Sequence, residues 1–436
     1  MQRWRIRPAR RIRGVWRPPG DKSITHRAVI LGTLARGTTE IRHFLEADDC
    51  MRTLQIAQQL GAQAERVGEA HWRITGLGGE TLREPTEVLD AGNSGTTARL
   101  MAGVLASYPI FSVLTGDASL RRRPMRRIVE PLRQMGAHID GRENASRLPL
   151  CIRGDDLRGI RYLTPVASAQ VKSCLLLAGL NAHGTTEITE PCPSRDHTER
   201  MLHAFGAALE TRLNPAGLYC VRLCGKQRLE AQSLTIPGDF SSAAFWIAAA
   251  LILPGSDLVV EGVGVNQTRT GLLQALAQAG VHLEWSAIDE QAGEPIATLR
   301  VRSQPLGAMR VGGALIPTLI DEVPILALLA TQAEGETEIR DAAELRVKES
   351  DRIEAITTEL RKMGAEIEAL PDGLRVRGVT PLRGAHVCSH GDHRIAMTLA
   401  IAGLIAHEGE TVVEDVACVQ TSFPEFERLL YTLVER

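Results

Sequence analysis

A chain of 436 residues is too long for one compact core, so two or three domains are expected. Its 44% apolar and 23% charged residues fit an ordinary soluble globular protein and exclude a disordered or collagen-like one. A net charge of −2 excludes a global pull toward nucleic acid or membrane, so any anion affinity must come from local clusters of Lys and Arg.

Residues 1–19 are basic, with Arg3, Arg5, Arg7, Arg10, Arg11, Arg13 and Arg17. They lack the apolar run of a signal peptide, and no stretch of 18 apolar residues follows, so a cytoplasmic protein that spans no membrane is expected. A nucleic-acid arm is one reading of the arginines. Their alternation with Trp4, Ile6, Ile12 and Trp16 predicts two exposed strands instead.

Beyond residue 20 the chain repeats itself. A small or polar turn leads into an apolar helix and then into Gly-Thr-x-x-Ile or a variant of it, over 21–41, 169–188, 239–260, 321–339 and 392–413. A weaker copy starts at Asn93 and runs through 108–114. A second signature, a helix ending in Gly-Ala or Gly-Val before two strands, recurs at Gly61, Gly136, Gly206, Gly280 and Gly364. The copies begin about 70 to 80 residues apart, too far for a solenoid, and each reads β-α-β-α-β-β. Six copies split into three and three, with the break near Pro237-Gly238 and the last copy cut short at Arg436. A non-catalytic repeat scaffold would not need the charges that these opening turns carry.

Pro19-Gly20-Asp21-Lys22-Ser23-Ile24-Thr25-His26-Arg27 combines a tight turn with a helix start, whose free N–H groups form an anion site; Ser23 and Arg27 share a face. Gly92-Asn93-Ser94-Gly95-Thr96 lets backbone amides approach a ligand closely. Arg121-Arg122-Arg123-Pro124 is a basic turn, and Ser168-Ala169-Gln170-Val171-Lys172 sets a hydroxyl and an amide at another helix start. In the second half Asp321-Glu322 places acids where the other turns place cations. Arg346-Val347-Lys348-Glu349-Ser350-Asp351-Arg352 and Gly391-Asp392-His393-Arg394 return to basic groups. His390 and His393 alone make a loop rather than a metal site, and the eight cysteines, none in C-x-x-C spacing, read as reduced, mostly buried thiols. The pattern fits a cleft between two domains that takes two small, multiply anionic molecules, with Arg gripping phosphate and carboxylate and an ionised acid available as base.

These turns, together with Arg195-Asp196-His197-Thr198-Glu199, closely resemble those of the 5-enolpyruvylshikimate-3-phosphate synthase family from Gly20 to Phe426. The resemblance implies an α/β fold of two domains, each of three β-α-β-α-β-β repeats with helices inside and sheets outside. It places the domains at 20–238 and at 1–19 plus 239–436, with the active site between them. It implies transfer of an enolpyruvyl group from phosphoenolpyruvate to the 5-hydroxyl of shikimate 3-phosphate through a tetrahedral intermediate, with no metal or organic cofactor. Lys22, Ser23, Arg27, Ser168, Ala169, Gln170, Ser194, Arg195, Asp321 and Lys348 would hold shikimate 3-phosphate. Lys22, Gly95, Arg123, Gln170, Lys348, Arg352 and Arg394 would hold phosphoenolpyruvate. Asp321 would act as base, and Glu349 with Lys22 or Lys348 would manage the methylene carbon.

Two departures bear on binding: Thr421 stands where some members have Lys, and Ala169 where others have a second Ser. Several motifs, Asn266-Gln267-Thr268-Arg269 among them, resemble a more glyphosate-tolerant subgroup, yet residue 95 is Gly rather than the Ala of a tolerant pattern. The alternative is the sister transferase acting on UDP-N-acetylglucosamine, but 116–124 lacks its reactive Cys. An RNA-binding protein on a related repeat would need more than 4% aromatic residues. A monomer is expected.

Overall fold

The computed structural model describes residues 2–79 and 81–436. Two compact units emerge from it. One comprises 20–237 with 290–294; the other comprises 1–19, 238–289 and 295–436. Each has its own hydrophobic core. The continuous segment 239–436 of the sequence reading is thus interrupted. Glu294 anchors 290–294 in the first unit, where it lies 2.8 Å from His197 Nδ1 with both side chains buried.

The repeats are real structural units, and one strand order recurs. In the third copy Arg161–Leu163 runs parallel to Thr185–Glu190, which pairs antiparallel with Tyr219–Cys224, and Leu209–Leu213 completes the sheet. The second copy repeats this with Leu89–Asp90, Phe111–Thr115, Leu150–Arg153 and His138–Gly141. The fifth does so with Arg310–Val311, Gly335–Ile339, Gly373–Gly378 and Glu366–Leu370. In the first copy the opening strand is borrowed: Ser233–Thr235, at the end of the third copy, lies parallel to Thr38–Arg42.

The N-terminus is borrowed in the same way. Arg11–Trp16 supplies the parallel strand beside Asp257–Gly264 in the fourth copy, and Arg3–Ile6 pairs with Thr411–Glu414 in the sixth. The sixth copy is therefore supplied with a strand from the other end of the chain. The alternation predicted two exposed strands, but each buries one face. Trp4, Ile6, Ile12 and Trp16 are buried, while Arg3, Arg5 and Arg13 face outward.

Each copy contributes one helix buried on nearly every side. They are Lys22–Leu34, Gly95–Ala106 and Ala169–Gly179 in one unit, and Phe240–Ile252, Val323–Thr331 and His393–Leu404 in the other. Helices apolar all round belong inside a core, and the sheets cover them with one face each. The packing is close: a Cβ on Gly103 would lie 2.2 Å from the Cys174 carbonyl oxygen of the neighbouring helix. The second helix of five copies ends at a glycine with φ between +79° and +112°, the left-handed residue that the Gly-Ala and Gly-Val signature implied.

Trp4 stacks on Phe426 at 5.4 Å between ring centroids and is 5% exposed. Trp4→Ala should cost about 3–5 kcal/mol of unfolding free energy, as large-to-small aromatic changes in cores do. Urea denaturation followed by fluorescence checks this, and a loss below about 1 kcal/mol would show that the N-terminal strand adds little to this core.

Candidate active site

In the unit of 20–237 the candidate residues collect at helix starts. Asp21 caps Lys22–Leu34 by accepting the Ile24 N–H at 2.9 Å. Gly20 is required by close approach rather than by a left-handed turn, since a Cβ there would lie 1.9 Å from the His43 carbonyl oxygen. Lys22, at the first helical position, pairs with Asp49, and Ser23 is part-exposed beside it. Arg27 is buried and donates to Thr198 Oγ1 at 2.6 Å, Ser173 Oγ at 2.8 Å and the Ser23 carbonyl at 2.8 Å. Burial lowers its pKa to about 10; Glu199 and Asp21 oppose the fall, and Arg195 adds to it. A cation destabilised by burial and by a second cation favours an incoming anion.

The second helix start is capped by Ser94, which accepts the Thr97 N–H at 3.0 Å. Gly95 is its first residue, and a Cβ there would meet Arg99 Nη1 at 2.6 Å and Arg123 Nη1 at 3.4 Å. Arg123 is fixed by Asn93, to Oδ1 at 2.7 Å and to the carbonyl at 3.2 Å. The third start is capped by Ser168, with Ala169 first and Gln170 next. Gln170 Oε1 accepts from Arg99 Nη1 at 2.9 Å, and its amide donates to Thr96 Oγ1 at 3.2 Å. The helix starts at Gly95 and Ala169 are thus joined, and Thr97 Oγ1 reaches the Asp49 carbonyl beside Lys22 at 3.3 Å. Ser194 is buried with its hydroxyl on Glu190, and Arg195 is half-buried beside it.

The other unit holds Asp321, Lys348, Glu349, Arg352 and Arg394. Arg352, 1% exposed, begins Arg352–Lys362. It donates to Asp392 Oδ2 at 2.7 Å, to Glu349 Oε2 at 2.6 Å and to Asp321 Oδ1 at 3.2 Å. Burial alone would lower its pKa, but Asp392, Glu349 and Asp321 together raise it above the usual arginine value. Arg394, at the start of His393–Leu404, donates to the Asp321 carbonyl and Ser241 Oγ, each at 3.0 Å, and lies 3.4 Å from Glu322 Oε1. Lys348 lies 3.2 Å from Glu344. Glu322 is sealed at 1% exposure, and one Arg269 nitrogen reaches both its oxygens at 3.0 Å.

Sequence reasoning gave no role to the partners that hold these groups: Asp49, Arg99, Glu190, Ser241, Arg269 and Asp392. Arg269 and Asp392 stand within motifs named above and Arg99 lies one turn after Gly95, while the other three carried no local signal. His390 Nε2 lies 2.8 Å from buried Glu359, which gives that loop histidine a structural partner. Asp196, His197 and Glu294 bring ligand atoms within 4.8 Å of one another, but Arg200 lies 2.9 Å from Asp196 and His197 lies on Glu294, so the group is internally paired. Thr421 donates to the Cys418 carbonyl at 2.7 Å. Among the described residues no single helix is long and apolar enough to cross a membrane.

The family model described as EPSP synthase (3-phosphoshikimate 1-carboxyvinyltransferase) matches residues 6–430. A 3-phosphoshikimate 1-carboxyvinyltransferase of Desulforudis audaxviator is 54% identical over 430 residues, 98% of this chain and 99% of that protein. One from a Synechococcus strain is 52% identical over 430 residues, covering 98% and 96%. A solved EPSP synthase from Acinetobacter baumannii superposes with a TM-score of 0.87 at 41% identity, covering 100% of this chain and 98% of that one.

Buried His26 sits one turn from Lys22 and beside Arg27, with Nδ1 2.7 Å from Thr53 Oγ1. Burial, then Lys22 and Arg27, hold its pKa well below 6.5. It therefore stays neutral in the folded chain, while the unfolded chain takes up a proton as pH falls through about 6.5. The folded state must lose stability below that pH, by up to about 1.4 kcal/mol per pH unit until the folded pKa is reached. His26→Gln cannot titrate, so urea denaturation at pH 7.5 and pH 5 should show a smaller acid loss than in the parent. An equal loss in both would assign the acid sensitivity to other groups.

Proposed function

The chain belongs to the EPSP synthase (3-phosphoshikimate 1-carboxyvinyltransferase) family, and from that premise we propose that its two constellations serve one reaction centre with divided roles. The reaction transfers the enolpyruvyl group of phosphoenolpyruvate to the 5-hydroxyl of shikimate 3-phosphate and releases phosphate. Lys22, Ser23, Arg27, Ser168, Ala169, Gln170, Ser194 and Arg195 form the shikimate 3-phosphate side, joined by Asp321 and Lys348. Lys22, Gly95, Arg123, Gln170, Lys348, Arg352 and Arg394 form the phosphoenolpyruvate side. Helix starts and arginines suit both phosphates and the carboxylates.

One observation carries the division of chemical roles. Four carboxylates surround Arg352 and Arg394, and two of them are sealed: Asp392 at 0% and Glu322 at 1% exposure. Asp321 and Glu349 keep 16% and 18%. Only the latter pair can reach a substrate. Asp321 takes the proton of the 5-hydroxyl as its oxygen bonds to the substituted enol carbon. Glu349, with Lys22 or Lys348, delivers a proton to the methylene carbon. The tetrahedral adduct then returns a proton from the methyl group and expels phosphate, so the enol double bond reforms. This chemistry draws on no metal or organic cofactor. The same reading makes the protein a cytoplasmic monomer that binds neither nucleic acid nor membrane. The sister transferase using UDP-N-acetylglucosamine is disfavoured by 116–124, which has no Cys.

Asp321→Asn keeps shape and hydrogen bonding but removes the base. Turnover, measured as phosphate release, should fall by roughly two to four powers of ten, while shikimate 3-phosphate affinity changes less. Near-normal turnover would move the base to Glu349, since Glu322 is sealed.

For glyphosate the same reading places the native chain at intermediate tolerance, with subgroup-like motifs but Gly95 and Thr421. A methyl on residue 95 meets the Arg99 and Arg123 guanidinium groups. It therefore disturbs the cations around the phosphoenolpyruvate side as well as narrowing that side. Overpacking by one methyl costs about 1–3 kcal/mol, so Gly95→Ala should raise the glyphosate inhibition constant about tenfold or more. The Michaelis constant for phosphoenolpyruvate, the shorter molecule, should rise less. Equal changes in steady-state inhibition assays would show that residue 95 does not distinguish the two.

A further inference from the structure

Two of the motif residues have no part in the chemistry above. Lys172, in Ser168-Ala169-Gln170-Val171-Lys172, is 0% exposed, and Glu199, in Arg195-Asp196-His197-Thr198-Glu199, is 4% exposed. They meet at 2.8 Å. A third residue, outside any motif, closes the group. Glu190, at the end of the strand Thr185–Glu190, is 0% exposed and lies 2.8 Å from the same ammonium. The third Lys172 proton points to the Ser194 carbonyl at 3.3 Å, and the ammonium stands 4.9 Å from the Tyr219 ring centroid.

Glu190 does more than balance Lys172. Its Oε1 accepts the Ser168 N–H at 2.9 Å and the Ser194 O–H at 2.8 Å. Its Oε2 accepts the Ser194 N–H at 3.3 Å and lies 2.9 Å from the Ser194 hydroxyl oxygen. One buried carboxylate therefore holds both the cap of Ala169–Gly179 and the loop that carries Arg195. A carboxylate next to a phosphate site would repel the ligand if left uncompensated. Lys172, itself fully buried, answers that charge. Burial raises the Glu199 pKa, and Lys172 beside it opposes that rise.

We propose that Glu190, neutralised by Lys172, is a positioning residue for shikimate 3-phosphate: it fixes Ser168 and the Ser194-Arg195 loop relative to each other before the ligand arrives. The proposal rests on the assignment of Ser168, Ser194 and Arg195 to the shikimate 3-phosphate side. It also changes the meaning of Ser194, whose N–H and O–H are both committed to Glu190. Within the shikimate 3-phosphate side, Ser194 thus works as part of this frame.

Glu190→Gln is isosteric but turns an acceptor oxygen into an N–H₂ group facing Lys172 and Ser194. In the full-length protein it should raise the Michaelis constant for shikimate 3-phosphate at least tenfold. The turnover number should stay within about threefold and the Michaelis constant for phosphoenolpyruvate within about twofold. This split distinguishes positioning from a general loss of folded structure, which would lower activity without favouring one substrate. Lys172→Arg, which keeps the charge and changes its shape, should give the same selective rise at three- to tenfold and serves if Glu190→Gln does not fold. Unchanged constants in a folded variant, or equal losses for both substrates, would overturn the proposal. The parent protein is titrated first: if it releases no phosphate with shikimate 3-phosphate, the functional assignment fails, not the role of Glu190.

Discussion

Charge pairing at the ends of buried helices is the constraint on which this structure depends. The inner helices are apolar nearly all round, so their starts are the places in each core where polar chemistry can gather. A guanidinium or ammonium brought there must be paired, because an unpaired buried charge costs far more than the fold can spare. Arg352 answers this with Asp392, Glu349 and Asp321 at 3.2 Å or less. Lys172 answers it with Glu190 and Glu199, each at 2.8 Å. These buried cations are held in shape by carboxylates of the protein itself.

That arrangement separates two kinds of acid. Sealed carboxylates such as Asp392, Glu322 and Glu190 orient cations and helix starts. Asp321 and Glu349 share the same arginine yet stay partly exposed. The distinction is one of burial, and it cannot be read from residue type. Closely held groups need no reorganisation when charge develops, which is how preorganised sites lower barriers.

The repeats and the opening turns were legible in the chain because each depends on local chemistry. Asp21, Ser94, Ser168, Asp239, Asp351 and Asp392 all accept a backbone N–H as helix caps, and caps announce themselves in sequence. Strand exchange was not legible. Nothing in Arg3–Ile6 or Ser233–Thr235 says which sheet each will join, since edge pairing is decided by tertiary packing. Glu190 was invisible for the same reason. A lone acid at a strand end carries no pattern until Lys172, eighteen residues back in the chain, folds against it. The limit at Gly20 was equally hidden, since it is set by the carbonyl of His43, which lies far away in the chain.

The most direct test of the whole account is phosphate release from phosphoenolpyruvate by the purified protein, followed with and without shikimate 3-phosphate. Release should saturate in both molecules, vanish when either is withheld, and persist after exhaustive chelation of metal ions. Release from phosphoenolpyruvate alone, or release supported by UDP-N-acetylglucosamine in place of shikimate 3-phosphate, would contradict it.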